Sequence, residues 1–132
     1  MKRKIISIIV ALTALHSSVQ AQTNSEIPDK RQNINAVPYQ LFPTKNMWNF
    51  IKLDTRNGQM WQVQFVVNGD NRFETILNPT PLITKEKEAN DRFTLYPTQN
   101  LYSFILLDQI DGRVWQVQWS LDYEKRLIIP IQ

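Results

Sequence analysis

One stretch of twelve residues occurs twice, and this constrains the chain more than any other feature. Leu53 to Gln64 returns as Leu107 to Gln118, 54 residues later. Extended outward, Tyr39 to Asn78 aligns with Phe93 to Gln132 without a gap, and 14 of the 40 positions are identical. A unit of that size is marginal by itself, because too little of its surface leaves water on folding. The two copies must therefore share one core.

Each copy reads as four strands. In copy one these are Tyr39 to Phe42, Trp48 to Leu53, Met60 to Val67 and Arg72 to Leu77. In copy two they are Phe93 to Tyr96, Tyr102 to Leu107, Val114 to Leu121 and Arg126 to Ile131. Asn57-Gly58, Asn68-Gly69 and Asp111-Gly112 are hairpin signals, since glycine tolerates positive φ and Asn or Asp nearly does. Asp122 to Lys125 has lost its glycine, which predicts a looser turn. Pro130 removes a ladder donor and predicts an edge or terminating position. No stretch carries sustained helical periodicity. The expected fold class is all-β: two four-stranded antiparallel meanders with pseudo-two-fold symmetry, forming one small barrel or sandwich.

The segments outside the repeats read differently. Lys2, Arg3 and Lys4 precede a largely apolar run of 11 residues, Ile5 to Leu15, and Val19-Gln20-Ala21 closes it with small residues. This is the pattern of a secretory signal peptide, residues 1–21, too short to span a membrane. Export to the periplasm or beyond is the expectation. Residues 22–38 are polar with two prolines and read as a disordered leader. Residues 79–92 form a connector whose Lys85 to Glu88 run suits one helical turn with Thr84 as N-cap.

Removing the signal changes the chemistry that is available. The chain has 15 Lys+Arg and 12 Asp+Glu, and three of the basic residues are Lys2, Arg3 and Lys4. The remainder is balanced, so net charge offers no grip on nucleic acid or anionic lipid. The single histidine, His16, lies in the signal, and there is no cysteine. A chain from Gln22 has no zinc or copper ligands of the usual kind and no Ser-His or Cys-His pair. No cofactor and no metal are expected. Asp108, Asp111 and Asp70 suggest calcium-loop chemistry, but their spacing fits no EF-hand. Asp54 and Asp108 would serve glycoside hydrolysis only if roughly 5–10 Å apart in a cleft. Accepting turn N–H groups explains both aspartates more simply. Arg72 and Arg126, which begin the fourth strands, are expected to pair with carboxylates.

The hairpin at Gly58 admits two registers. A two-residue turn places Asp54 opposite Trp61 and puts Ile51 and Leu53 on one face with Gln64 and Gln62. A three-residue loop places Leu53 opposite Trp61 and Ile51 opposite Val63. A slip of one residue moves every side chain to the other face. The apolar pattern favours the three-residue loop in both copies, with Trp61 and Trp115 inward. The opposite face then carries Trp48, Phe50, Gln62 and Gln64 in copy one and Tyr102, Phe104, Gln116 and Gln118 in copy two. These eight residues are the candidate ligand-binding set. Amides that donate and accept, set beside aromatic rings, suit a sugar. The competing reading makes this face a repeat–repeat interface.

Asp54-x-x-x-Gly58-x-x-Trp61 resembles the Asp-x-x-Thr-Gly-x-x-x-Trp hairpin of quinoprotein and other β-propeller blades, with the tryptophan one residue early and no threonine before the glycine. The likeness is one of hairpin physics and implies no quinone. The region from Tyr39, with Leu-Phe-Pro-Thr at 41–44, Leu-Tyr-Pro-Thr at 95–98 and Trp-Gln-Val-Gln at 61–64 and 115–118, is similar to small secreted two-repeat proteins of anaerobic gut-type bacteria. That resemblance implies export and no particular activity. The functional expectation is a non-enzymatic, exported binding module, with an unknown glycan or an envelope protein as partner. An accessory subunit or inhibitor of an envelope protein is the alternative, and a carboxylate-dependent hydrolase the remote one.

Overall fold

The computed structural model describes residues 36–132. The expected signal and the leader through residue 35 lie outside the described residues. Repeat one holds β1 (Tyr39–Pro43), β2 (Asn49–Asp54), β3 (Met60–Gln64) and β4 (Phe73–Asn78). Repeat two holds β5 (Phe93–Pro97), β6 (Ser103–Asp108), β7 (Val114–Gln118) and β8 (Leu127–Ile131). Each repeat is one antiparallel meander, in order β1-β2-β3-β4 and β5-β6-β7-β8. The protein is all-β, and the two sheets contribute to one core without closing into a barrel. Among the described residues the helical segments are two 3₁₀ turns, Lys85–Lys87 in the connector and Tyr123–Lys125 in place of the missing glycine turn. Pro130 lies in edge strand β8, as its missing donor requires.

The third strands stop at Gln64 and Gln118, short of the expected ends. The connector is better anchored than its composition suggested. Leu82 N–H donates to Asn57 O at 2.8 Å, and Leu82 and Ile83 pack on the core. The end of the leader is held too: Thr55 N–H donates to Pro38 O and its hydroxyl to Val37 O, both at 2.8 Å.

The hairpin register differs from both sequence alternatives. Lys52 stands opposite Trp61 and Leu53 opposite Met60, matched in repeat two by Leu106 opposite Trp115 and Leu107 opposite Val114. The cause is a four-residue loop, Thr55 to Gly58, closed by Asp54 N–H to Gln59 O at 2.9 Å and Gly58 N–H to Asp54 O at 3.0 Å. Gly58 closes it with φ +83°, in the left-handed region that only glycine enters freely. This register puts Ile51 on the same face as Gln62.

The faces are then used differently by the two repeats. Repeat one buries Asn49, Ile51, Leu53, Met60, Gln62 and Leu77. Repeat two buries the alternate set of its strands: Phe104, Leu106, Trp115, Val117 and Trp119, with Phe93 and Leu95 from β5. Trp115 is in the core, whereas Trp61 faces outward. Gln62 is in the core, whereas Gln116 faces outward. The inward-tryptophan phase therefore holds in repeat two and is inverted in repeat one. A two-fold axis brings like faces together; here unlike faces meet, which is a head-to-tail relation. The symmetric pairing of repeats gives way to this arrangement, while the two meanders themselves stand.

Thr55 joins the repeats at the strand ends. Its carbonyl accepts from Phe93 N–H at 2.7 Å and its hydroxyl oxygen from Asp91 N–H at 3.0 Å. At the other edge Arg126 donates to Thr75 Oγ1 at 3.1 Å and Ile76 O at 3.4 Å, and to Ser120 O at 2.8 Å through Nε. Arg126 was expected to meet a carboxylate. It instead bonds carbonyls and a hydroxyl, because its strand starts beside β4.

Candidate binding groove

The eight candidate residues do not form one surface. Gln62 is fully buried, its Nε2 donating to Asn49 Oδ1 at 3.2 Å and its Oε1 without a protein partner. Phe104 is buried in the core. Trp48 and Phe50 lie on the outer side of repeat one, both against Phe65 at centroid distances of 5.3 and 6.0 Å. Gln116 and Gln118 lie on the outer side of repeat two. Tyr102 sits at the sheet end, its ring 5.2 Å from that of Trp119. The inversion of faces between the repeats scatters the set.

Gln64 and Gln118 have matched structural work. Gln64 Nε2 donates to Asn71 O at 3.3 Å, and Gln118 Nε2 to Lys125 O at 2.9 Å. Each braces the loop between the third and fourth strands of its repeat.

Two of the eight do meet in a groove. An open depression of about 470 Å³ runs along the loop end of repeat one, where Leu121 of repeat two completes the wall. Trp48 and Gln64 line it together with Asn46, Asn49, Asn68 and Asn71. Val66 and Val67 add apolar surface. None of these nine residues titrates. The local sequence explains the shape. Asn46 Oδ1 accepts Trp48 N–H at 3.0 Å, while Thr44 Oγ1 donates to Asn49 O at 2.9 Å. These bonds fix the turn and present the indole beside the amides. Asn46, Asn68, Asn71 and Leu121 were not singled out from sequence. The recurrence of Asn in the turns flanking Trp48 and Gln64 is the signal that marks them.

The aspartates are engaged elsewhere. Asp54 accepts Arg56 Nε at 2.9 Å on one oxygen and Arg56 Nη2 at 2.7 Å on the other, and also takes the Arg56 N–H. Its hydrogen bond raises the Arg56 pKa above the ordinary arginine value. Asp108 receives the same fork from the buried Arg92, at 3.0 and 2.9 Å, and the N–H groups of Ile110 and Asp111. Burial alone would push the Asp108 pKa up. The Arg92 hydrogen bonds, the two amides and the Arg92 charge outweigh it, and the carboxyl sits below its usual range. Arg92 in turn is raised, first by its hydrogen bond to Asp108. Both carboxylates do the turn work that their positions predicted, each with a guanidinium bound across its two oxygens.

The chain matches no family model, and neither the curated proteins nor the solved structures contain a match to it. No helix among the described residues is long and apolar enough to cross a membrane.

Proposed function

We propose that this chain is an exported, non-enzymatic binding module that takes a neutral, hydroxyl-rich ligand of the glycan class in the groove at the loop end of repeat one. One observation carries the reading: Trp48 and the amide residues Asn46, Gln64, Asn68 and Asn71 line an open depression with no ionisable group on its walls. Amides both donate and accept, as sugar hydroxyls do, and an aromatic face takes the C–H side of a pyranose. The groove volume falls in the range of small-ligand sites, about 300–1,000 Å³. Proton transfer would need a titratable side chain at hand, and the groove walls supply none.

Glycan arrays followed by calorimetry test this. Trp48→Ala is expected to weaken binding by about tenfold or more, equivalent to roughly 1.4 kcal/mol, and Asn71→Ala to weaken it less. Gln116→Ala, on the far side of the other sheet, leaves it intact. Absence of binding across a broad panel, or affinity untouched by Trp48→Ala, rejects the reading.

The accessory-subunit alternative draws on a different observation, the exposed aromatic and aliphatic side chains on the outer side of repeat one. Recovery of a stoichiometric envelope protein with the tagged chain would favour it.

A further inference from the structure

We infer that the chain binds further copies of itself head to tail, the outer side of repeat one in one molecule docking on the outer side of repeat two in the next. The contact within the molecule supplies the template. Its two halves are the inner side of repeat one and the inner side of repeat two. Because unlike faces meet, each outer side is the sequence counterpart of one of those halves, and neither is covered by another of the described residues.

The counterparts retain their apolar character. On repeat one, Leu41 and Tyr39 are 60% and 49% exposed, while their matches in repeat two, Leu95 and Phe93, are 3% and 1% exposed. Trp61, Val63 and Phe65 continue the surface, matching the buried Trp115, Val117 and Trp119. On repeat two, Ile131 is 48% exposed and its match, Leu77, 7%. Ile105, Leu107 and Val114 stand where repeat one buries Ile51, Leu53 and Met60. A sheet side wetted in the working protein has no need of such rows, and contiguous apolar surface of this kind marks an interaction site. Lys52 and Glu74 replace Leu106 and Ile128, but they pair with each other, and Lys52 Nζ lies 4.6 Å from the Trp61 ring centroid. They enter a contact as a neutral pair.

The polar ties have counterparts as well. Phe93 N–H donates to Thr55 O within the chain. Tyr39 and Gln109 occupy those two places at the free ends. Gln109 already copies the other bond of Thr55, its N–H donating to Arg92 O at 2.8 Å. Arg72, which is exposed, stands where Arg126 reaches across to β4 and can reach β8 of the neighbour in the same way. Each new junction would also build a second groove, in which Tyr102 and Gln118 take the places of Trp48 and Gln64.

A head-to-tail contact forms a ring if its rotation closes. Rings of four-stranded sheets close with about four to eight sheets, so this two-sheet chain closes with about two to four copies. The test uses the chain from Gln22, which retains every described residue, and reads mass by light scattering. Wild type is expected at about two to four times the monomer mass. Leu41→Glu with Tyr39→Ser spoils one side, and Ile131→Glu with Tyr96→Glu spoils the other. All four positions are about half exposed or more in the single molecule, so each variant keeps its fold, checked by near-UV circular dichroism. Each variant alone is expected to be monomeric, and an equimolar mixture to give a one-to-one dimer, since one good side remains on each. A monomeric wild type overturns the proposal. So does a variant that still self-associates alone, because that requires a contact between like sides.

Discussion

Trp61 and Trp115 occupy the same place in their repeats and face opposite environments. Trp115 packs in the core with its ring 6.0 Å from that of Phe93, while Trp61 lies on the outer side under the Lys52 ammonium. Sequence alone gives them equal weight, with roughly 3–5 kcal/mol lost on truncating either. The structure separates them. Trp115→Ala is expected to cost about 3–5 kcal/mol and Trp61→Ala less, about 1–2 kcal/mol, from the Lys52 cation–π contact and the partly buried ring. Urea unfolding at concentrations where the chain is monomeric measures both.

The buried pair of Arg92 and Asp108 gives a pH dependence of fixed sign. The Asp108 pKa is depressed in the folded state. Its stabilisation is therefore fully present above the unfolded carboxylate value, about 3.9, and is lost as pH falls through the lower folded value. Asp108→Asn should flatten that part of the stability curve. Arg92→Met leaves the buried carboxylate with only the half-exposed Arg113 guanidinium, at 3.3 Å, and is expected to cost about 3 kcal/mol at neutral pH. That penalty shrinks in acid, where protonation removes the under-compensated buried charge. Denaturant midpoints of the three proteins between neutral pH and the acid limb of the curve check both statements.

Gly58 and Gly69 share a left-handed backbone, with φ +83° and +88°. They differ in surroundings. A Cβ on Gly58 would lie 2.8 Å from Leu82 Cδ1, whereas one on Gly69 meets nothing within 4 Å. Alanine at Gly69 should cost only the conformational term, about 1–2 kcal/mol. Alanine at Gly58 should cost more, because Leu82 must move out of its seat between the connector and the core. Thermal unfolding of the two variants gives the order directly.

The strands, turns and duplication were legible because they depend on local chemistry: period-two patterning, glycine in turns, prolines at ends. The packing phase was not, because it depends on which side of each sheet meets the other repeat. One clue lies in the differences between the copies. Lys52 and Glu74 stand where repeat two has Leu106 and Ile128, so within one molecule that side faces outward in one repeat and into the core in the other. The amide-bearing side offers no such contrast: Asn49, Gln62 and Thr75 are matched by Ser103, Gln116 and Ile129. Gln62 donates to Asn49 inside the core while its own Oε1 lacks a protein partner, and composition reads both amides as surface. The groove was half legible. Trp48 and Gln64 stood out as aromatic and amide, but the loop asparagines that join them belong to turns whose approach only the folded chain reveals.

Gln62→Lys against Gln116→Lys is the most direct probe of the unlike-face arrangement. The two glutamines are the same residue of the repeat, and only the packing phase distinguishes them. A lysine at Gln62 enters the core without a counter-charge, so that variant should unfold or lose several kcal/mol. A lysine at Gln116 projects into water from a single molecule and should change monomer stability by no more than about 0.5 kcal/mol. Equal losses at the two positions, or a larger loss at Gln116, would contradict the assignment of faces and with it the head-to-tail contact.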